Sequence, residues 1–186
     1  MDKSGYDIIV VGGGVAGLTA TAALGVLGFK VLCLESTEFR SQTKNAAQDI
    51  RSTAFLRGSV DLLKEIGIWD SVVGESHELK TMCIADCGGV DGAIRQQINF
   101  NSSEVSLPDF GYNVPNAVAK RALVDRIDSL KNCKLLFGLE VINAVTQIGK
   151  IFLILSDNNF VSAKLVVAAD GSRSKVRELT GVKTFT

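Results

Sequence analysis

A single histidine, His77, is all that this 186-residue chain carries. That scarcity excludes a metal centre built from several imidazoles and leaves a serine or cysteine nucleophile just one candidate base. His77 sits in the polar stretch Glu75-Ser76-His77-Glu78 and is expected at the surface. An excess of charge is also lacking, since Lys and Arg total 20 and Asp and Glu total 20. This removes the electrostatic argument for nucleic acid or an anionic membrane as an obligatory partner, so no nucleic acid is expected and a small ligand is. The four cysteines, Cys33, Cys83, Cys87 and Cys133, offer no second close pair and no zinc-spaced histidines. They read as reduced thiols packed as small apolar groups in an intracellular protein, with no metal. The apolar run Ile8–Val11 is too short to cross a bilayer, and no export signal precedes it. A cytoplasmic location follows, with peripheral membrane contact left open, because a protein acting on a lipid-soluble substrate need only touch the surface.

With two prolines, 46% hydrophobic and 22% charged residues, the chain is globular and buries roughly 70% of the surface its unfolded form exposes. Asp7–Val11 is almost wholly apolar and β-branched, the mark of a strand buried on both faces. Three glycines follow, and then helical spacing runs from Val15 to Leu27, stopped at Gly28. Val31–Leu34 completes a β-α-β unit, which makes a parallel pair. Ser36–Asp49 is polar and predicts a long loop, and a helix is expected to resume near Ser52 and to close at Gly67. Leu79–Ala85 and Ala93–Phe100 read as strands around a glycine-rich turn, Asp86–Gly92. Helical spacing returns over Asn116–Leu130, a short strand over Lys134–Gly138, and then three runs, Leu139–Gln147, Lys150–Ser156 and Phe160–Ala169, suit a β-meander feeding a last core strand. Ser174–Leu179 opens another helix.

Gly12-Gly13-Gly14-Val15-Ala16-Gly17 matches G-x-G-x-x-G between a strand and a helix, the context in which that motif binds a dinucleotide. Gly12 permits the tight turn, Gly14 lets a pyrophosphate approach the backbone, and Gly17 lets helix and strand pack closely. The first-turn N–H groups of Val15 and Ala16 then face the phosphates. Glu35, eighteen positions after Gly17, stands where a carboxylate accepts bonds from ribose hydroxyls and disfavours a 2′-phosphate. The ligand is therefore FAD or NAD(H), and the β-α-β unit alone does not separate them.

Two later segments bear on that choice. Asp49-Ile50-Arg51-Ser52-Thr53-Ala54-Phe55 resembles the D-x-R-x-T/S-A-L segment of the ubiquinone-biosynthesis hydroxylases, a branch of the class A FAD-dependent monooxygenases. Ala168-Ala169-Asp170-Gly171-Ser172-Arg173-Ser174-Lys175-Val176-Arg177 is similar to their A-D-G-x-x-S-x-V-R motif. The resemblance implies that Arg51 lies beside the flavin and its pyrophosphate. It also implies that Asp170 and Gly171 lie near the pyrophosphate and ribose, where the nicotinamide donor approaches. Tyr112–Leu123 looks like the family's strand-to-helix segment, which implies a flavin contact at Asn116, with Pro115 and Ala119 departing from the pattern. Val141 stands where family members hold adenine through backbone groups.

The implied fold is α/β, a Rossmann-like FAD-binding domain with a parallel sheet and a β-meander. Its segments are residues 1–73 and 114–186, interrupted by partial substrate-domain strands at 74–113. The implied function is the FAD-binding portion of a monooxygenase that hydroxylates an aromatic ring with NAD(P)H and oxygen. The substrate would be a small aromatic, a lipid-soluble ubiquinone precursor among the options. The family's later G-D-A-A/S-H motif is absent, so the resemblance covers the N-terminal part only, and a complementing C-terminal polypeptide is an expected partner. No catalytic residue is assigned, because the flavin carries the chemistry. The alternatives are a non-catalytic FAD-binding fragment or half of a split protein, another flavin oxidoreductase such as an isoprenoid reductase or halogenase, and an NAD-dependent dehydrogenase.

Overall fold

A computed structural model describes residues 5–38, 50–88 and 90–183. The chain divides into two compact units, Met1–Asp49 with Ala119–Thr186, and Ile50–Val118. The first unit opens with β1 (Tyr6–Val11), α1 (Val15–Val26) and β2 (Val31–Glu35). β1 and β2 pair in parallel, Ile8 opposite Val31 through Val11 opposite Leu34. Continuous apolar sequence is what such a pair requires, because both of its faces are covered, and Ile9, Val10, Val31 and Leu32 are all fully buried. The small residues of α1 let it lie close. A Cβ at Gly17 would collide with the Gly12 carbonyl, and one at Gly25 would collide with the Cys133 sulfur. The helix stops as expected at Gly28, whose φ of +90° lies in the left-handed region. Most of the expected loop Ser36–Asp49 lies outside the described residues.

The second unit contains β3 (Ser52–Leu56), α2 (Arg57–Glu65), α3 (Trp69–Val72), β4 (His77–Glu78), β5 (Thr81–Asp86), β6 (Gln96–Asn101) and β7 (Gly111–Pro115). The helix expected from Ser52 begins only at Arg57. Residues 52–56 are a strand, paired antiparallel with β7 from Ser52 opposite Pro115 to Leu56 opposite Gly111. Ala54, Phe55 and Leu56 are compatible with a helix, but pairing with a partner almost sixty residues away overrides that local preference. β3, β7 and β4 form one sheet, whereas β5 and β6 form a separate two-stranded ribbon. Phe55, Val60, Leu63, Ile66, Ile68, Val72, Val114 and Val118 are the buried apolar side chains among this unit's described residues. His77 is exposed in β4, and residues 74–113 contribute nothing to the six-stranded sheet of the first unit.

The chain passes between the units within α4 (Asn116–Asp128) and returns to the first sheet with β8 (Cys133–Phe137), parallel to β2. β9 (Val141–Gln147), β10 (Lys150–Leu155) and β11 (Phe160–Ala168) form the meander, and α5 (Lys175–Leu179) follows. β11 is long enough to serve twice. It pairs antiparallel with β10 and parallel with β1, giving the order β8-β2-β1-β11-β10-β9. Ile9, Val11, Leu32, Leu34, Val141, Leu153, Leu155, Val161 and Ala163 of this sheet form a single cluster with Val176 of α5. Each fully buried aliphatic there contributes about 1.5–3 kcal/mol relative to exposure. No helix among the described residues is long and apolar enough to cross a membrane.

Candidate cofactor site

Parallel strands end together, so the loops after β1, β2 and β11 meet at one edge of the first unit. β1 hands over to α1 through Gly12-Gly13-Gly14. Gly12 has φ +113°, and a Cβ there would collide with the Ala169 carbonyl, so the turn after β1 is wedged against the chain leaving β11. Gly14 is extended at φ −71° and ψ 174°, and a Cβ on it would meet nothing within 4 Å. What it borders is open space. No side chain caps the first turn of α1, so the N–H groups of Val15, Ala16 and Gly17 lack the partner that an N-cap residue usually provides.

That space is a cavity of about 420 Å³ whose lining includes Gly12, Gly14, Glu35, Ser36, Glu140, Val141, Asp170, Gly171, Arg173 and Lys175. Its size falls within the range of small-molecule sites. Six residues singled out from sequence, Gly12, Gly14, Glu35, Val141, Asp170 and Gly171, are thus brought to one concavity. A larger cavity of about 690 Å³ lies between the meander and α5. Of the predicted site residues it contains only Gly171, and it has no carboxylate in its lining. Size is the poorer guide here, and the smaller cavity holds the phosphate-type glycines and the acids.

Glu35 is fixed before any ligand arrives. Its Oε2 accepts the Gly13 N–H at 2.6 Å, and its Oε1 accepts the Thr37 N–H at 2.9 Å and the Ser36 hydroxyl at 3.3 Å. Partial burial alone would push its carboxyl up, but the Thr37 and Gly13 N–H groups outweigh that and hold it below the ordinary value. Asp170 is treated similarly. Burial raises its carboxyl, while the Ser174 hydroxyl and the N–H of Val176, donated to Oδ2 at 3.1 Å, bring it down below the ordinary value. Its Oδ1 is buried without a hydrogen-bond partner. Asp170 lines the same cavity, and a buried carboxylate oxygen without a partner calls for a donor that the protein itself does not supply. Gly171 turns the chain beside it with φ +85°.

Arg51 and Asn116 belong to the second unit. They are neighbours across the end of the β3–β7 pair. The Asn116 N–H donates to the Arg51 carbonyl at 3.0 Å, and the Asn116 Oδ1 accepts the Thr53 hydroxyl at 2.6 Å. Sequence reasoning passed over Gly13, Ser174, Arg173 and Lys175. Ser174 had a local signal, a serine directly before a helical segment, and it caps α5 by accepting the Arg177 N–H at 3.0 Å. Gly13 had none, because its partner lies 22 residues away.

An FAD binding domain model matches residues 5–186. The chain is 32% identical over 176 residues to ubiquinone hydroxylase UbiL of Rhodospirillum rubrum, which covers 95% of this chain and 39% of that protein. It is 29% identical to 3-demethoxyubiquinol 3-hydroxylase of Escherichia coli, over 98% of this chain and 45% of that protein. The chain therefore spans less than half the length of these relatives. Among solved structures, the anhydrotetracycline hydroxylase OxyS of Streptomyces rimosus superposes with a TM-score of 0.77 at 20% identity, over 97% of this chain and 34% of that one. That likeness concerns the fold.

Proposed function

This chain belongs to the FAD binding domain family, and we propose that it holds FAD at the edge of its six-stranded sheet as part of an aromatic-ring monooxygenase acting in ubiquinone biosynthesis. The observation that carries the reading is the single cavity lined together by Gly14, the anchored Glu35 and Asp170, whose Oδ1 is buried without a hydrogen-bond partner. These groups fit a dinucleotide. Gly14, with the N–H groups of Val15, Ala16 and Gly17, would receive the pyrophosphate. Glu35 would accept the adenosine ribose hydroxyls, Val141 would offer backbone groups to adenine, and Asp170 with Gly171 would accept a ligand hydroxyl. For Arg51 and Asn116 a flavin contact rests on the resemblance of their sequence segments alone.

Bound flavin, reduced by NAD(P)H, supplies the oxygen-activating chemistry. The protein's share is to bind and orient the cofactor and to exclude water. UbiL and the Escherichia coli enzyme are described as ubiquinone and demethoxyubiquinol hydroxylases, which supports a ubiquinone precursor as the substrate and a lipid-soluble aromatic as its class. Strands at 74–113 would then be part of a substrate domain, and further chain would be needed to enclose the ring. A cytoplasmic setting with access to a membrane surface suits such a substrate.

Titration of the purified chain with FAD and, separately, with NADH tests the reading. Weak but saturable FAD binding, read as a change in flavin fluorescence, is expected. Binding of NADH without FAD would overturn it in favour of a dehydrogenase. Glu35→Ala should weaken FAD by about 1–3 kcal/mol, the usual cost of losing hydrogen bonds to a charged group.

A further inference from the structure

The motif roles assigned to Gly12, Gly14 and Gly17 leave Gly13 as a position where any residue would serve, yet the structure makes a specific demand there. Gly13 is not among the glycines with positive φ, so its backbone does not require glycine. Its surroundings do. A Cβ would stand 2.8 Å from the Glu35 Cβ, 3.0 Å from its Cγ and 3.0 Å from its Oε2. The Cβ is fixed by the backbone and cannot swing aside, so relief can come only from rotating the Cγ and carboxylate away. Nor can the strand end yield easily, since Glu35 is paired with Phe137 and the Leu34 carbonyl accepts the Gly12 N–H at 2.8 Å. Any side chain at 13 must therefore turn the carboxylate away.

We propose that Gly13 is a positioning residue for the ribose-binding carboxylate. Its N–H and its missing side chain hold Glu35 so that both oxygens face a pair of vicinal hydroxyls, and Gly13 thereby sets specificity for a ribose with two free hydroxyls. The proposal rests on the dinucleotide reading above. A carboxylate has about four acceptor directions, two on each oxygen. One on Oε2 is taken by the Gly13 N–H and one on Oε1 by the Thr37 N–H. The Ser36 hydroxyl, 3.3 Å from Oε1, and the Thr37 hydroxyl also bond the carboxylate, and both belong to exposed residues. Two neighbouring ribose hydroxyls can take the place of these two while the backbone bonds hold the carboxylate. Because both backbone donors are already in place, ligand binding pays no cost of ordering the side chain.

The test compares ADP with 2′,3′-dideoxy-ADP by calorimetry on the full chain and on Gly13→Ala. The wild type should prefer ADP by roughly tenfold or more, the equivalent of hydrogen bonds to a charged group. Gly13→Ala should bring that ratio close to one while leaving the dideoxy-ADP affinity within about twofold, since the phosphate contacts are untouched. Retention of the wild-type ratio, or equal loss for both nucleotides, would overturn the proposal. If Gly13→Ala does not fold, the amide proton of Gly13 gives a second readout by NMR. Glu35→Gln should shift it strongly upfield, and an unmoved resonance would overturn the proposal. A wild type that binds neither ADP nor FAD sinks the dinucleotide reading itself, whereas ADP binding without hydroxyl discrimination sinks only the role of Gly13.

Discussion

β1 and the β5–β6 ribbon both carry large apolar side chains, but these live in opposite environments. Ile8, Ile9, Val10 and Val11 are all buried, between strands on either side and covered on both faces. In the ribbon, Met82 lies opposite Phe100 and Ile84 opposite Ile98, so the four share one face, and they remain 42–63% exposed. Polar residues, Thr81 and Cys83 against Asn99 and Asn101, alternate with them. A continuous apolar run is thus matched by cover on two faces, and an alternating run implies cover on one, which the described residues of this unit do not supply. A two-stranded ribbon is at best marginal by itself. The first unit thus has a core of its own beside the cavity lined by Gly14, Glu35 and Asp170, while the ribbon's apolar face is left without cover among the described residues.

Breaking the buried side should have the largest effect. Ile9→Ala removes a fully buried side chain from the main cluster, and chemical denaturation should register a loss of about 2–5 kcal/mol. Next comes the site's own scaffold. Asp170→Ala strips the Val176 N–H and the Ser174 hydroxyl of their acceptor, and the same measurement should give about 1–3 kcal/mol.

A subtler effect is expected from pH. Glu35 and Asp170 both have carboxyls lowered on folding. The stability they contribute is therefore complete above the unfolded values of about 4.3 and 3.9, and it is lost as pH falls through the lower folded values. Melting temperature should be flat from about pH 5 to 7 and decline below about pH 4. Glu35→Gln and Asp170→Asn should each flatten that decline, and an unchanged profile in both would count against the anchoring described. The smallest effect belongs to the ribbon, where Ile84→Ser, at a residue 63% exposed, should stay within about 0.5 kcal/mol of wild type.

Much of the first unit was legible in the sequence, because its signals are local. Strand, glycine turn and helix follow one another directly from Asp7 to Gly28, and the acid at 35 ends the next strand. The A-D-G run likewise marked the loop after β11. What escaped depends on distant partners. Ser52–Leu56 becomes a strand only because Gly111–Pro115 lies beside it, and Gly13 matters only because Glu35 folds back onto its N–H. Neither fact leaves a trace in nearby residues.

Gly14, Glu35, Val141 and Asp170, the pre-arranged part of the proposed cofactor site, all lie in the first unit, whereas the ribbon lies in the second. FAD titration by flavin fluorescence, run side by side on the wild type, Gly14→Val and Ile84→Ser, tests it most directly. Since the space at Gly14 is open and its backbone extended, Gly14→Val should melt like the wild type yet lose FAD binding by a hundredfold or roughly more. Ile84→Ser should bind FAD as the wild type does. Undiminished FAD binding by Gly14→Val, or its loss in Ile84→Ser, would contradict the account.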